Sequence, residues 1–203
     1  MMVKICGLTR MQDAEAAVAH GASAIGFIFW PGSPRFVDPY RARTIAKTLP
    51  PFVSTVGVFV NQTSSYINGV ASLVPLSVVQ LHGDESPAFA AQLSRPVMKA
   101  VSQLESAREW PKDVTLLFDV NDPLKRGGTG RVTDWTTAAA LARERRIVLA
   151  GGLTPENVSD AIAAVQPFGI DVSSGVEASP GIKDERRIAA LFAAINRSRV
   201  PIV

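Results

Sequence analysis

Residues 147–173 read IVLAGGLTPENVSDAIAAVQPFGIDVS. An aliphatic run, IVLA, meets a glycine turn; PENVSDAIAAV then spaces its apolar residues as a helix does, and GIDVS returns to a short strand pattern. Thr154 before Pro155 places a proline in the first helical turn. Strand, helix and strand in this order predict one parallel βαβ unit.

The same alternation runs through the rest of the chain. Strand patterns recur at VKIC (3–6), AIGFIF (24–29), STVGVFV (54–60), SVVQLH (77–82), PVMKAV (96–101) and TLLFDV (115–120). Helical patterns separate them: QDAEAAVAHG, RARTIAKTLP, SSYINGVASLV, SPAFAAQL and WTTAAALARE, with DERRIAALFAAINR closing the chain. Only SQLESAREWPKDV (102–114) is too short for more than a brief or irregular helix. Eight strands alternating with helices over 203 residues predict an α/β fold, a (β/α)8 barrel forming a single domain over 1–203. An open doubly wound sheet is the alternative. Against it, no GxGxxG follows the first strand and no acidic residue closes the second.

Composition narrows the function classes. With 47% apolar and 19% charged residues the chain reads as globular. MMVKICGLTR lacks the apolar stretch of a leader peptide, and no window is long and apolar enough to span a bilayer, so the expectation is a cytoplasmic protein with no membrane partner. A net charge of +3 with scattered basic residues argues against nucleic acid and suits a small acidic substrate. The exception to that scatter is Arg143, Arg145 and Arg146, expected on one helix.

Parallel barrels build their sites at the C-terminal ends of the strands. Polar residues end several otherwise apolar strands here: Cys6 the first, Gln80 and His82 the fourth, Asp119 the sixth, Asp171 and Ser173 the eighth. Alternation puts Lys4 on the face of Cys6, Gln80 with His82, and Asp171 with Ser173. Each has a plainer reading as well: packing for the lone cysteine, an interior ion pair for Lys4, satisfied internal hydrogen bonds for Gln80 and His82. Their convergence on one mouth favours chemistry. AGGLTPEN after the seventh strand and SSGVEASPG after the eighth offer backbone amides without Cβ hindrance, in the two loops where barrels bind phosphate. In WPGSPRFVD, Arg35 suits a carboxylate gripped by two parallel hydrogen bonds, with a surface ion pair as the plainer reading. The loop NDPLKRGGTGRVTDW is glycine-rich enough to act as a mobile cover, but it lacks GxxxxGK[ST] and is no nucleotide site.

VKICGLT, GFIFWPGSPRFV, VGVFVN, VQLHGDE, FDV, GGTGRVTDW, LAGGLTPENV and GIDVSSGVEASPGIKD, in this order from Val3 to about Asp184, closely resemble the phosphoribosylanthranilate isomerase family of tryptophan biosynthesis. The resemblance implies the monofunctional form, an Amadori rearrangement of a phosphosugar substrate, no metal or organic cofactor, and a monomer or homodimer. It implies Cys6 as general base and Asp119 as general acid. Arg35 would take the anthranilate carboxylate, Asp171 a ribose hydroxyl, and His82 the wall of the aromatic pocket, with Lys4 and Gln80 beside the substrate. The amides of Gly151, Gly152, Ser173, Ser174 and Gly175 would hold the phosphate. An unperturbed thiol is only a few per cent thiolate at neutral pH, and an aspartate is protonated about once in a thousand molecules, so both groups need tuning. Lys4 would favour thiolate, and burial would raise Asp119. Two rivals remain: the histidine-pathway aminoaldose isomerase, whose base is an aspartate where Cys6 stands, and a non-catalytic phosphosugar-binding barrel.

Overall fold

The computed structural model describes residues 1–119 and 135–197. Residues 120–134, including the GGTG motif expected to form a cover, and 198–203 lie outside the described residues.

Eight parallel strands close into a barrel in chain order: β1 (Met2–Cys6), β2 (Ala24–Ile28), β3 (Ser54–Phe59), β4 (Val78–Leu81), β5 (Val97–Val101), β6 (Thr115–Asp119), β7 (Ile147–Ala150) and β8 (Gly169–Val172). β8 pairs with β1, placing Asp171 directly opposite Lys4. Each described strand end falls within one residue of its sequence pattern. These are β-branched and aliphatic runs buried on both faces, which is why they read as strands without neighbours.

Helices α1 (Met11–Ala19), α2 (Pro39–Ala46), α3 (Ser64–Leu73), α4 (Pro87–Ala90), α5 (Leu104–Arg108), α6 (Trp135–Glu144), α7 (Val158–Val165) and α8 (Glu185–Arg197) follow the strands in turn. Asp38, Thr63 and Ser86 cap α2, α3 and α4, each accepting from backbone N–H groups of the first turn. Pro155 falls in a turn before α7 rather than in its first turn: Asn157 Oδ1 accepts from the Thr154 N–H at 2.8 Å, and helix begins at Val158.

Two apolar layers form. The larger lies between strands and helices; a smaller one inside the barrel holds Ala24, Val56, Met98, Leu117, Val148 and Ala150. That inner plug fills the lower barrel, rises at Ala150 to the level of Asp119, and shares the upper interior with polar side chains. Leu191, Phe192 and Ile195 of α8 are buried in the larger layer, so this helix spends its apolar face on the barrel. Among the described residues no helix is long and apolar enough to cross a membrane.

Two further features depart from the sequence reading. A small antiparallel hairpin, β9 (Glu177–Ser179) with β10 (Ile182–Lys183), follows a 3-10 turn at Ser174–Val176. The expected basic helix face does not form, because α6 ends at Glu144 and Arg145 turns inward. Arg145 donates to the carbonyls of Ala107, Trp110, Pro111 and Val114, and Arg146 lies over the Phe168 ring.

Candidate active site

Cys6, Asp119, Arg35, Gln80, His82, Gly151, Gly152, Asp171, Ser173 and Ser174 all line one cavity of ≈ 850 Å³ at the C-terminal mouth of the barrel. Strands β1, β4, β6 and β8 supply Cys6, Gln80, Asp119 and Asp171, His82 follows β4, Arg35 follows β2, and the loops after β7 and β8 supply the glycines and serines. Ser173 Oγ donates to the Cys6 carbonyl at 3.1 Å, joining the phosphate-type loop to the end of β1. Two expected residues stand behind the lining. Lys4, 1% exposed, lies below the mouth, and Gly175 packs against the Leu153 carbonyl, where a Cβ would collide.

The interior network starts at Lys4. Its Nζ donates to Gln80 Oε1 and to Asp171 Oδ2, both at 2.9 Å. Burial works to lower the Lys4 pKa, but the charges of Asp171 and Cys6 outweigh it and leave the ammonium above its ordinary 10.5. Because Gln80 Oε1 faces a cation, its Nε2 must be the atom that meets His82 Nδ1 at 3.0 Å. The amide donates, so the neutral imidazole carries its proton on Nε2, which faces Asp119 Oδ2 at 3.9 Å. Burial holds His82 below its ordinary 6.5, with Asp119 pulling the other way. Asp171 Oδ1 is a buried acceptor with no hydrogen-bond partner among the described residues.

Cys6 and Lys4 share the space that Gly26 leaves. A Cβ at Gly26, opposite Cys6 on β2, would lie 2.8 Å from Cys6 Sγ and 2.9 Å from Lys4 Cε. Burial pushes the thiol above its ordinary 9.0; Lys4 is the strongest influence pulling it down and does not win. The lone buried thiol and the interior Lys4–Asp171 ion pair are therefore both present: the thiol lines the cavity, and Lys4 lies just below the mouth.

Arg35 does meet an ion-pair partner, and the partner is internal. Its Nε and Nη2 hold the carboxylate of Glu177 at 2.8–3.1 Å. Sequence reasoning missed Glu177, Lys99 and Glu85. Lys99 is a buried cation within apolar PVMKAV, the same signal that marked Lys4; it pairs with Glu85 at 3.0 Å and supports the loop that follows His82. Also unread were the apolar walls of the cavity, Ile28, Trp30, Val58 and Val60. They look like ordinary core residues in the sequence. Among the described residues no cluster of His, Cys, Asp or Glu is arranged to hold a metal ion.

The closed barrel and the titratable groups gathered at its C-terminal mouth define the class: a (β/α)8-barrel enzyme. Comparison with known proteins gives the family. The family model for N-(5'-phosphoribosyl)anthranilate isomerase matches residues 3–194, and the chain belongs to this family. It is 46% identical to the N-(5'-phosphoribosyl)anthranilate isomerase of Pelobacter propionicus, over 97% of this chain and 96% of that one. The crystal structure of the Thermotoga maritima phosphoribosyl anthranilate isomerase superposes with a TM-score of 0.92 at 42% identity, covering 97% of this chain and 99% of that one. A phosphoribosyl anthranilate isomerase in complex with reduced 1-(o-carboxyphenylamino)-1-deoxyribulose 5-phosphate superposes with a TM-score of 0.88 at 40% identity, with coverage of 97% and 99%.

Proposed function

We propose that this chain, as one cytoplasmic catalytic domain over 1–203, converts N-(5'-phosphoribosyl)anthranilate to 1-(2-carboxyphenylamino)-1-deoxyribulose 5-phosphate, the isomerisation of tryptophan biosynthesis. The observation that carries this reading is that Cys6 and Asp119 line the same cavity as Arg35 and the two glycine-bearing loops. Asp119, as general acid, delivers a proton to the ring oxygen; the C1–O bond breaks and the nitrogen lone pair forms the C1 iminium. Cys6, as general base, takes the C2 proton; the C2–H electrons form the C1=C2 bond as the C1=N π pair returns to nitrogen, giving the enolamine. Protonation at C1 and loss of the enol proton yield the ketone.

In the resting site burial keeps Cys6 as the thiol. Thiolate therefore forms after ring opening, when the iminium places a positive charge beside the sulfur. Arg35 takes the anthranilate carboxylate, and the apolar walls with His82 take the ring. The unpartnered Asp171 Oδ1 accepts from a ribose hydroxyl. Backbone amides of Gly151, Gly152, Ser173 and Ser174 hold the phosphate, with Gly175 allowing the two loops to approach. Lys4 and Gln80, whose polar atoms engage one another, Asp171 and His82, act by fixing those groups in place. No metal or organic cofactor enters, since the iminium carbon is the electron sink.

An assay with both aminoaldose substrates tests the reading. Turnover of the anthranilate-bearing substrate is expected; turnover of the imidazole-bearing one alone would assign the chain to the histidine-pathway reaction, and turnover of neither would leave a binding barrel. The oligomeric state, monomer or homodimer, is read by sedimentation.

A further inference from the structure

We propose that Glu177, which lies outside the cavity lining, is the positioning residue that holds Arg35 and thereby sets the preference for a carboxylated ring. This rests on the reading that Arg35 takes the substrate carboxylate.

A guanidinium offers a carboxylate two bidentate edges, one through Nε and Nη2 and one through Nη1 and Nη2. Glu177 occupies the first: Arg35 Nε donates to Oε1 at 2.9 Å and to Oε2 at 3.1 Å, and Nη2 donates to Oε2 at 2.8 Å. The edge left for a ligand is the other one, on the side chain that lines the cavity. Arg35 thus stands between two carboxylates, one built in and one brought by the ligand. An unrestrained arginine gives up rotamer entropy when it is fixed. Here the fixing precedes the ligand. Gly7, at φ 76°, leaves room for the Arg35 stem, since a Cβ there would lie 2.7 Å from its Cδ.

Glu177 is itself tightly held. Its side chain is 5% exposed, and its Oε1 also accepts from Lys183 Nζ at 2.8 Å and from the Gly181 N–H at 3.2 Å. Lys183 Nζ in turn donates to the Ser173 carbonyl at 3.0 Å, and Thr9 Oγ1 donates to the Gly181 carbonyl at 2.6 Å. The β9–β10 hairpin therefore fastens the carboxylate-binding arm to the loop assigned to phosphate. A neutral glutamine in place of Glu177 keeps the shape but gives up the charge and one acceptor.

The test compares two ligands on wild type, Glu177→Gln and Arg35→Ala: the reduced carboxyphenylamino product analogue and its phenylamino counterpart lacking the carboxylate. For E177Q the preference for the carboxylated ligand should fall by on the order of tenfold. Affinity for the phenylamino ligand should stay within about twofold of wild type, as Lys183 still donates to the Ser173 carbonyl of the phosphate loop. Unchanged preference, or an equal loss for both ligands, would overturn the assignment and leave Glu177 as a hairpin ion pair. Should R35A keep the wild-type preference, the Arg35 reading itself fails; if R35A loses it and E177Q keeps it, only the role of Glu177 fails. Were E177Q not to fold, Glu177→Asp gives the same readout: its retracted carboxylate should lower the preference by about threefold, and an unchanged preference would overturn the proposal.

Discussion

Burial and the Lys4 ammonium pull the Cys6 thiol in opposite directions, and burial prevails. The unfolded thiol ionises at its ordinary 9.0 and the folded one above it, so its contribution to stability is fully present below 9.0 and is lost as pH rises through the folded value. Since Cys6 is the only cysteine, the ultraviolet absorbance difference between wild type and Cys6→Ser isolates its thiolate. The ligand-free midpoint should lie above 9.0, and Lys4→Met should move it higher still; a wild-type midpoint below 9.0 would contradict the account. At this scale the sequence was readable where chemistry interrupts an apolar strand. Cys6, Gln80, Asp119 and Asp171 stand out for that reason. Glu177 does not, because the strand it opens, β9, is only three residues long and shows no periodicity, and its partner Arg35 is 142 residues away.

The strands were legible because each is a short run of β-branched and aliphatic residues, and that pattern needs no partner to be seen. In the segment between β5 and β6 the brief helix expected from its length is the five-residue α5, but the capture of its later carbonyls by Arg145 from beyond α6 was not legible. A basic residue next to Arg143 and Arg146 looks like part of a charged surface; its inward turn depends on carbonyls 31 to 38 residues earlier. Arg145→Ala takes a donor from four carbonyls, of which Pro111 keeps the Val114 N–H. We expect a loss on the order of 2–4 kcal/mol, read as a lower urea midpoint at unchanged slope. A midpoint equal to wild type would show that the segment holds its own conformation.

Closure of the barrel turns separate polar strand ends into one site. Lys4 and Asp171 are 167 residues apart and in contact because β8 returns to β1. The apolar plug below and the two loops above give that polar layer a floor and a rim, and the hairpin of Glu177 ties the rim to Arg35. The sequence showed which strand ends would meet, since topology and alternation settle it, but not which groups would be spent on one another. Gln80 shows the difference: its oxygen is committed to Lys4 and its nitrogen to His82. The central claim is that Cys6 and Asp119 work as the base and acid of one rearrangement. Its most direct test is the turnover number of Cys6→Ser and Asp119→Asn with N-(5'-phosphoribosyl)anthranilate, alongside each variant's affinity for the reduced product analogue. Each substitution should lower turnover by about 10²- to 10⁴-fold while affinity stays near wild type; wild-type turnover in either variant would contradict the role given to that residue.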